Sequence, residues 1–285
     1  MNALALPFRL ATLLLIGLTW TSTTTAQEQA APLKITWKNK MLQISGDDLP
    51  GKTLDVWYIE AYCRPGSTNR DWNKTVIEHT SKLVRQAEDG SLVELRDELE
   101  DGVIIEHRIT AGKDVVTFDI TAHNPTKVAS DVDWGQPCVR VDRFTATNPE
   151  KRLDLVPPYA KKCFIFVDGK PVRLPTKPWA TEAIYTPGQV YAAKGVSRDD
   201  VNPRPLSEIV PSNHLMACFS GDEKQLLGVA FEPCQELFQG VITCIHSDFR
   251  IGGLAPGESK QIRGKIYLIS GDPTELERRY REDFQ

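Results

Sequence analysis

The stretch that decides the fold is FEPCQELFQGVITCIHSDFRIGGLAPGES, residues 231–259. From Gly240 onward its apolar and polar residues alternate, as they do in a β-strand with one side on a core. The polar side carries His246, Asp248 and Arg250, which would point the same way at intervals of roughly 6–7 Å. A sheet face open to solvent shows the same alternation, so that interpretation stays open beside a functional one.

The rest of the chain repeats this alternating pattern. Segments rich in β-branched and aromatic residues, such as Thr53 to Arg64, are separated by tight turns such as Asp101-Gly102, and about twelve to sixteen short strands are expected. A helix is predicted only near the C-terminus, where Asp272, Pro273 and Glu275 suit its first positions. The pattern predicts an all-β fold, a large antiparallel β-sandwich with a short C-terminal helix that stabilises it.

The N-terminus has the composition of a targeting segment. An apolar run from Leu10 to Trp20 is too short to span a bilayer comfortably, and small residues follow it up to Ala26. We predict a signal peptide over residues 1–26, a short linker over 27–32 and a single β-sandwich domain over 33–285. Export to the periplasm or the medium is expected, with no membrane span once the signal is removed.

Charge and cysteine content restrict the partners. The chain has 34 Lys and Arg against 38 Asp and Glu, a formal net charge of −4, and no basic block, so a nucleic-acid partner is not expected. Its six cysteines form no Cys-x-x-Cys pair and show no zinc-type spacing, so we expect neither a metal nor a cofactor. In an exported protein they fit disulfides or buried free thiols equally well.

Four short motifs follow one another in an informative order. They are Asn124-Pro125-Thr126, Gly135-Gln136-Pro137-Cys138, Glu232-Pro233 and Leu254-Ala255-Pro256-Gly257-Glu258. This order resembles that of the galactose-mutarotase-like proteins of the aldose 1-epimerase superfamily, from about Asp101 to Ile269. The resemblance implies a β-supersandwich with a concave sugar-binding face.

The resemblance also implies catalytic roles. Glu232 matches the general base of the family, but Gln136 falls where the family has the histidine that acts as the acid. An amide is no general acid at neutral pH. The available replacements are His246, His214, His79 and His107. His246 is favoured because Asp248 on the same strand face could orient its imidazole. The competing interpretation of Glu232 is a turn cap or a partner of an arginine such as Arg250.

Residues suited to sugar binding complete the predicted site. Trp134, Gln136 and Arg140 share one side of a strand and combine an aromatic face with planar polar groups. Asp248, Arg250 and His214 would add further polar contacts. Arg64 and Arg204 lie in predicted loops, and arginine suits carboxylates, so an acidic sugar such as a uronate is one candidate ligand.

These features lead to a carbohydrate-active or carbohydrate-binding protein. If it is an enzyme, the reaction is proton transfer on a sugar, either epimerisation or β-elimination of a uronate. The alternatives are a non-catalytic sugar-binding module and a structural cell-surface protein.

Overall fold

The computed structural model describes residues 1, 32–66, 71–148, 156–176, 190–201, 206–240 and 242–285. Nearly all of the predicted signal peptide lies outside these residues. The described strands are β1 (Lys34–Lys38), β2 (Met41–Ser45), β3 (Thr53–Cys63), β4 (Val76–Ile77), β5 (His79–Gln86), β6 (Leu92–Leu99), β7 (Ile104–Ala111), β8 (Val115–His123), β9 (Trp134–Arg140), β10 (Cys163–Val167), β11 (Lys170–Arg173), β12 (Tyr191–Ala192), β13 (Met216–Phe219), β14 (Gln225–Glu232), β15 (Cys234–Gly240), β16 (Cys244–Arg250) and β17 (Ser259–Ser270). The α-helices are α1 (Trp72–Thr75), α2 (Asp142–Thr145) and α3 (Pro273–Phe284).

The strands form two large antiparallel sheets. An eight-stranded sheet has the order β1-β2-β3-β9-β16-β15-β12, with β4 pairing the end of β3. A nine-stranded sheet has the order β11-β10-β13-β14-β17-β8-β7-β6-β5. The predicted all-β sandwich with a C-terminal helix is confirmed. In the described part of the chain no helix is both long enough and apolar enough to cross a membrane.

The main core fills the space between the sheets. Val139 of β9 and Ile245 and Phe249 of β16 belong to it, as do Val229 and Phe231 of β14. Because side chains alternate along a strand, the neighbours of these residues point away from the core. In the eight-stranded sheet those neighbours are Trp134, Gln136, Cys138 and Arg140 of β9 and Cys244, His246, Asp248 and Arg250 of β16. We call the side on which they lie the outer face.

Two phenylalanines in the core each lie over a glycine of the neighbouring strand. Phe231 is opposite Gly264, and Phe249 is opposite Gly135. The two rings meet between the sheets with centroids 5.6 Å apart. A Cβ atom on either glycine would overlap the ring above it. The two glycines therefore allow the aromatic rings to lie flat against the sheets.

Gly264→Ala is expected to lower the free energy of unfolding by about 1–3 kcal/mol, because the added methyl group forces the Phe231 ring out of its position. Urea unfolding followed by circular dichroism measures the change. Gln261→Ala, at an exposed position of the same strand, is the control and should change stability by less than about 0.5 kcal/mol. Equal stability of the two variants would contradict this account of the core.

A polar network also lies between the sheets. The Tyr62 hydroxyl donates to Asp97 Oδ2 over 2.6 Å, and His107 Nε2 lies 3.2 Å from the same oxygen. The Tyr58 hydroxyl lies 2.8 Å from His107 Nδ1. All four side chains are buried. They link β3 of one sheet to β6 and β7 of the other.

Helix α3 covers the far side of the nine-stranded sheet. Asp272 caps it by accepting a hydrogen bond from the Thr274 backbone N–H at 2.9 Å. Leu276 and Tyr280 are buried against a second core cluster that includes Ala230 of β14. The predicted C-terminal helix and its predicted first positions are both present.

Candidate functional site

The polar residues of the outer face are buried. His246 is 2% exposed and Asp248 is fully buried. Trp134 is also fully buried, in a small cluster with Ala61 and Cys63 of β3. The interpretation of this face as a solvated surface is therefore wrong. Buried polar side chains need partners, so their contacts indicate what the face can do.

A cysteine, a histidine and an aspartate form a row along β16. His246 Nε2 lies 3.2 Å from Cys244 Sγ, and His246 Nδ1 lies 3.4 Å from Asp248 Oδ1. The Phe238 ring of β15 stacks on the imidazole, with centroids 4.0 Å apart and an angle of 11° between the planes. The imidazole is thus held in position on both edges and on one side.

The environment shifts the pKa values of this row. Burial by itself disfavours the imidazolium, but Cys244 and Asp248 outweigh that effect and raise the pKa of His246 to about 10. Burial also opposes ionisation of Cys244, but hydrogen bonds with Cys138 and His246 and the charge of His246 hold the pKa of the thiol well below its usual range. Burial raises the pKa of Asp248 to about 7, despite the hydrogen bond from His246.

Further chemically active residues on this face escaped the sequence analysis. A register shift between Trp57 and Ala61 of β3 leaves Glu60 on the outer face, where burial raises the pKa of its carboxyl group. Glu236 of β15 is fully buried and lies directly opposite Asp248. Cys138 lies beside Cys244 and His246. Glu60 could have been noticed in the sequence, because it is an acidic residue within the apolar run of β3. Nothing in the sequence indicates that Cys138 lies beside Cys244.

Several buried polar atoms of the outer face have no hydrogen-bond partner in the described part of the chain. They are two donors, Trp134 Nε1 and Arg140 Nε, and two acceptors, Gln136 Oε1 and Asp248 Oδ2. Leaving such groups without a partner costs about 1–3 kcal/mol each. The four atoms belong to neighbouring strands of one sheet and to the same side of it. The protein itself therefore leaves part of the hydrogen-bonding capacity of this face unused.

Arg250, at the end of this row, binds two carboxylates. Its Nη2 lies 3.1 Å from Asp133 Oδ1 and its Nη1 lies 3.4 Å from Asp200 Oδ2. Asp200 also accepts a hydrogen bond from the Gly66 backbone N–H at 2.6 Å. Gln235 accepts a further hydrogen bond from Arg250. The guanidinium therefore joins three separate segments to the edge of the outer face, and this cluster is the Arg250 clamp.

Glu232 lies elsewhere. Its carboxylate accepts a hydrogen bond from the Tyr280 hydroxyl of α3 and lies 2.6 Å from His214 Nδ1. Along β14 it has the same parity as Ala230, so it lies on the side of the nine-stranded sheet that α3 covers. His246 lies on the outer face of the other sheet. The structure thus brings Glu232 together with His214, and not with His246. Glu232 is paired with His214 and Tyr280, so the predicted pairing with Arg250 is wrong.

Of the two arginines predicted to lie in loops and bind a ligand carboxylate, the structure describes one. Arg64 forms ion pairs with Glu100 at 3.1 Å and with Asp131 at 3.3 Å. Arg204 lies outside the described residues. The outer face brings together Trp134, Gln136, Arg140, His246 and Asp248, with Arg250 at its edge. All six described cysteines are buried free thiols.

Comparison with known proteins adds to this description. No model of a known protein family matches the chain, and no curated protein matches it. Among solved structures, a protein from Escherichia coli K12 described as an aldose 1-epimerase gives a TM-score of 0.43 at 10% identity, over 84% of this chain and 99% of its own. A protein from Salmonella typhimurium described as a mutarotase gives 0.38 at 10% identity, over 84% and 94%.

An alpha-mannosidase from Enterococcus faecalis V583 is also similar, with a TM-score of 0.43 at 12% identity over 90% of this chain and 31% of its own. The solved structures thus include the mutarotase-like class that the sequence motifs resemble. At these identities and TM-scores no property of these proteins is assigned to this chain.

Proposed function

We propose that the outer face of the eight-stranded sheet binds an uncharged carbohydrate. The observation that carries the proposal is the set of buried atoms without partners, Trp134 Nε1, Arg140 Nε, Gln136 Oε1 and Asp248 Oδ2. Two are donors and two are acceptors. Sugar hydroxyl groups both donate and accept, so one polyhydroxylated ligand can satisfy all four.

The charge on the face favours a neutral ligand over a uronate. Glu60, Glu236 and Asp248 are acidic groups on the same side of the sheet as two cations, Arg140 and the His246 imidazolium. The cations already face these acidic groups, so no excess of positive charge is left for a ligand carboxylate. The guanidinium groups of Arg64 and Arg250 already have carboxylate partners. Epimerisation is therefore favoured over β-elimination among the reactions that the sequence suggests.

Trp134→Phe tests sugar binding because it keeps an aromatic ring and removes the indole N–H. A glycan array first identifies a neutral ligand for the wild type, and calorimetry then measures the affinity. We expect the variant to bind about tenfold or more weakly, because a buried ligand group loses its donor. Trp37→Phe, the same change on edge strand β1, is the matched control. No binding of any neutral sugar, or equal affinity of the Trp134 variant and the wild type, would refute the proposal.

A second candidate function is proton transfer on the bound sugar. It is favoured by the carboxyl groups of Glu236 and Asp248, which belong to directly opposed residues of neighbouring strands. Exchange between anomers or epimers of the bound sugar, followed by NMR, tests it. Glu236→Gln should abolish the exchange while binding persists. Exchange at the uncatalysed rate in the wild type would leave a non-catalytic binding module.

Export remains a proposal that rests on residues 1–26.

A further inference from the structure

Two thiols and one imidazole meet on the outer face, although the sequence shows no metal motif. Cys138 Sγ, Cys244 Sγ and an imidazole nitrogen of His246 all lie within 4.8 Å of one another, and all three residues are buried. Cys138 comes from β9 and the other two from β16, so the pairing of these strands creates the cluster. We propose that Cys138, Cys244 and His246 bind a zinc ion.

The distances agree with zinc coordination. Zinc binds thiolate sulfur at about 2.3 Å and imidazole nitrogen at about 2.0–2.1 Å, in tetrahedral geometry. Two such ligands on one ion lie roughly 3.5–3.8 Å apart. The observed 3.2 Å between Cys244 Sγ and His246 Nε2, and the 4.8 Å limit for the set, bracket this range.

The surroundings of the cluster are those of a metal-binding histidine. Asp248 Oδ1 lies 3.4 Å from His246 Nδ1, and a carboxylate at this nitrogen fixes the tautomer in which Nε2 offers its lone pair. The stacked Phe238 ring fixes the plane of the imidazole. A Cβ atom at Gly240 would overlap Cys244 Sγ, so the glycine leaves the space in which the sulfur lies. These supports stand on strands, which are rigid elements.

The donor set favours zinc among the common ions. Two sulfur ligands and one imidazole are soft to intermediate donors, which select zinc or copper(I) over magnesium, calcium or manganese. On binding, the protons that the two sulfurs and His246 Nε2 carry pass to the buffer, and two thiolates and a neutral imidazole coordinate the ion. Three protein ligands leave the fourth tetrahedral position for water or a ligand hydroxyl. The inference goes beyond sugar binding and does not depend on it.

The experiment is cobalt and zinc titration of the reduced, chelator-treated wild-type protein without sugar. Tetrahedral cobalt(II) with thiolate ligands gives a sulfur-to-metal charge-transfer band and intense visible bands. We expect these bands to saturate at one ion per chain and to disappear when zinc is added. Because no sugar is present, failure here is distinct from failure of the carbohydrate proposal. A wild type that shows no charge-transfer band overturns the zinc site.

Variants assign the ligands. Cys138→Ser, Cys244→Ser and His246→Gln should each lower zinc affinity by at least about 100-fold, and Asp248→Asn by about 10-fold to 100-fold. Gly240→Ala keeps every ligand but displaces Cys244 Sγ, so it should lower the zinc affinity as well. Cys234→Ser removes a buried thiol outside the cluster and should bind zinc like the wild type. Circular dichroism confirms that each variant is folded.

Two further results would overturn the proposal. One is zinc affinity that is unchanged in a folded Cys138→Ser/Cys244→Ser double variant. The other is a disulfide between Cys138 and Cys244, detected by alkylation and mass spectrometry of the protein as isolated from its native compartment. A free thiol at both positions, protected from alkylation by zinc, supports the site.

Discussion

Replacing Asp97 with alanine is expected to lower the free energy of unfolding by about 3–5 kcal/mol, because it removes a buried carboxylate acceptor and leaves a cavity. Asp97 is 1% exposed and accepts the hydrogen bond from Tyr62. It also lies 3.2 Å from His107 Nε2. Without the carboxylate, the buried donors that contact it lose their acceptor, and a small cavity opens between the sheets.

Matched variants separate the network from general effects. Asp97→Asn keeps the shape of the side chain and one acceptor oxygen, so this variant should lose only about 1–3 kcal/mol of the free energy of unfolding. Glu98→Ala removes a partly exposed acidic residue at the next position, where solvent screens the ion pairs with Lys82 and Arg96 and their contribution to stability is small. If Asp97→Ala lost no more stability than Glu98→Ala, the buried network would not be the source of the stability assigned to it.

The pH dependence of stability tests whether Asp97 acts as an ionised carboxylate. Burial opposes ionisation of Asp97, but hydrogen bonds from His107 and Tyr62 outweigh it and hold the pKa of the carboxyl below its usual range. A carboxyl with a depressed native pKa stabilises the fold above its unfolded pKa, about 4, and this stability is lost as pH falls through the native value. The difference between wild type and Asp97→Ala should therefore narrow below about pH 4, as urea titrations at several pH values would measure.

Local patterns in the sequence predicted the strands well. The strand predicted over Thr53 to Arg64 is β3, Thr53–Cys63, and the predicted Asp101-Gly102 turn joins β6 to β7. The capped C-terminal helix begins where its first residues indicated. Strand ends that depend on backbone conformation were missed. The strand predicted from Gly240 begins at Cys244, because Thr243 adopts a left-handed conformation with φ of 55°.

The site was predicted only in part, because alternation gives the side of a strand but not the neighbouring strand. The parity of β9 and β16 correctly grouped Trp134 with Gln136, and His246 with Asp248. That β9 and β16 are adjacent is a long-range property, so Cys138 beside Cys244 was not predicted. Likewise Glu232 was identified from a short motif, and the motif does not show which side of the sheet its side chain occupies.

Arg250→Met is expected to lower the free energy of unfolding by about 3 kcal/mol near neutral pH, because it leaves the carboxylates of Asp133 and Asp200 without the cation between them. Methionine keeps most of the length of the side chain, so the loss reports on charge more than on volume. The released segments include the 3-10 turn Arg198–Asp200 and the loop at Gly66. Greater susceptibility to proteolysis there should accompany the loss.

The Arg250 clamp also predicts a pH profile. Burial, together with Asp200, raises the pKa of Asp133 to about 7, and Arg250 and Lys260 oppose this rise. An acid with a raised native pKa contributes stability that is full below its unfolded pKa and is lost as pH rises through the native value. The wild type should therefore lose of the order of 1 kcal/mol between pH 4 and pH 7 from this group.

Without Arg250 the pKa of Asp133 rises further, so the destabilisation by Arg250→Met should be small near pH 5 and large near pH 8. Adding Asp133→Asn to Arg250→Met removes one of the two repelling charges and should restore part of the stability at pH 8, with little effect at pH 5. Urea unfolding of the four proteins of this double-mutant cycle at both pH values measures the coupling. An equal loss at pH 5 and pH 8 would mean that Arg250 stabilises the fold through packing of its side chain and not through its charge.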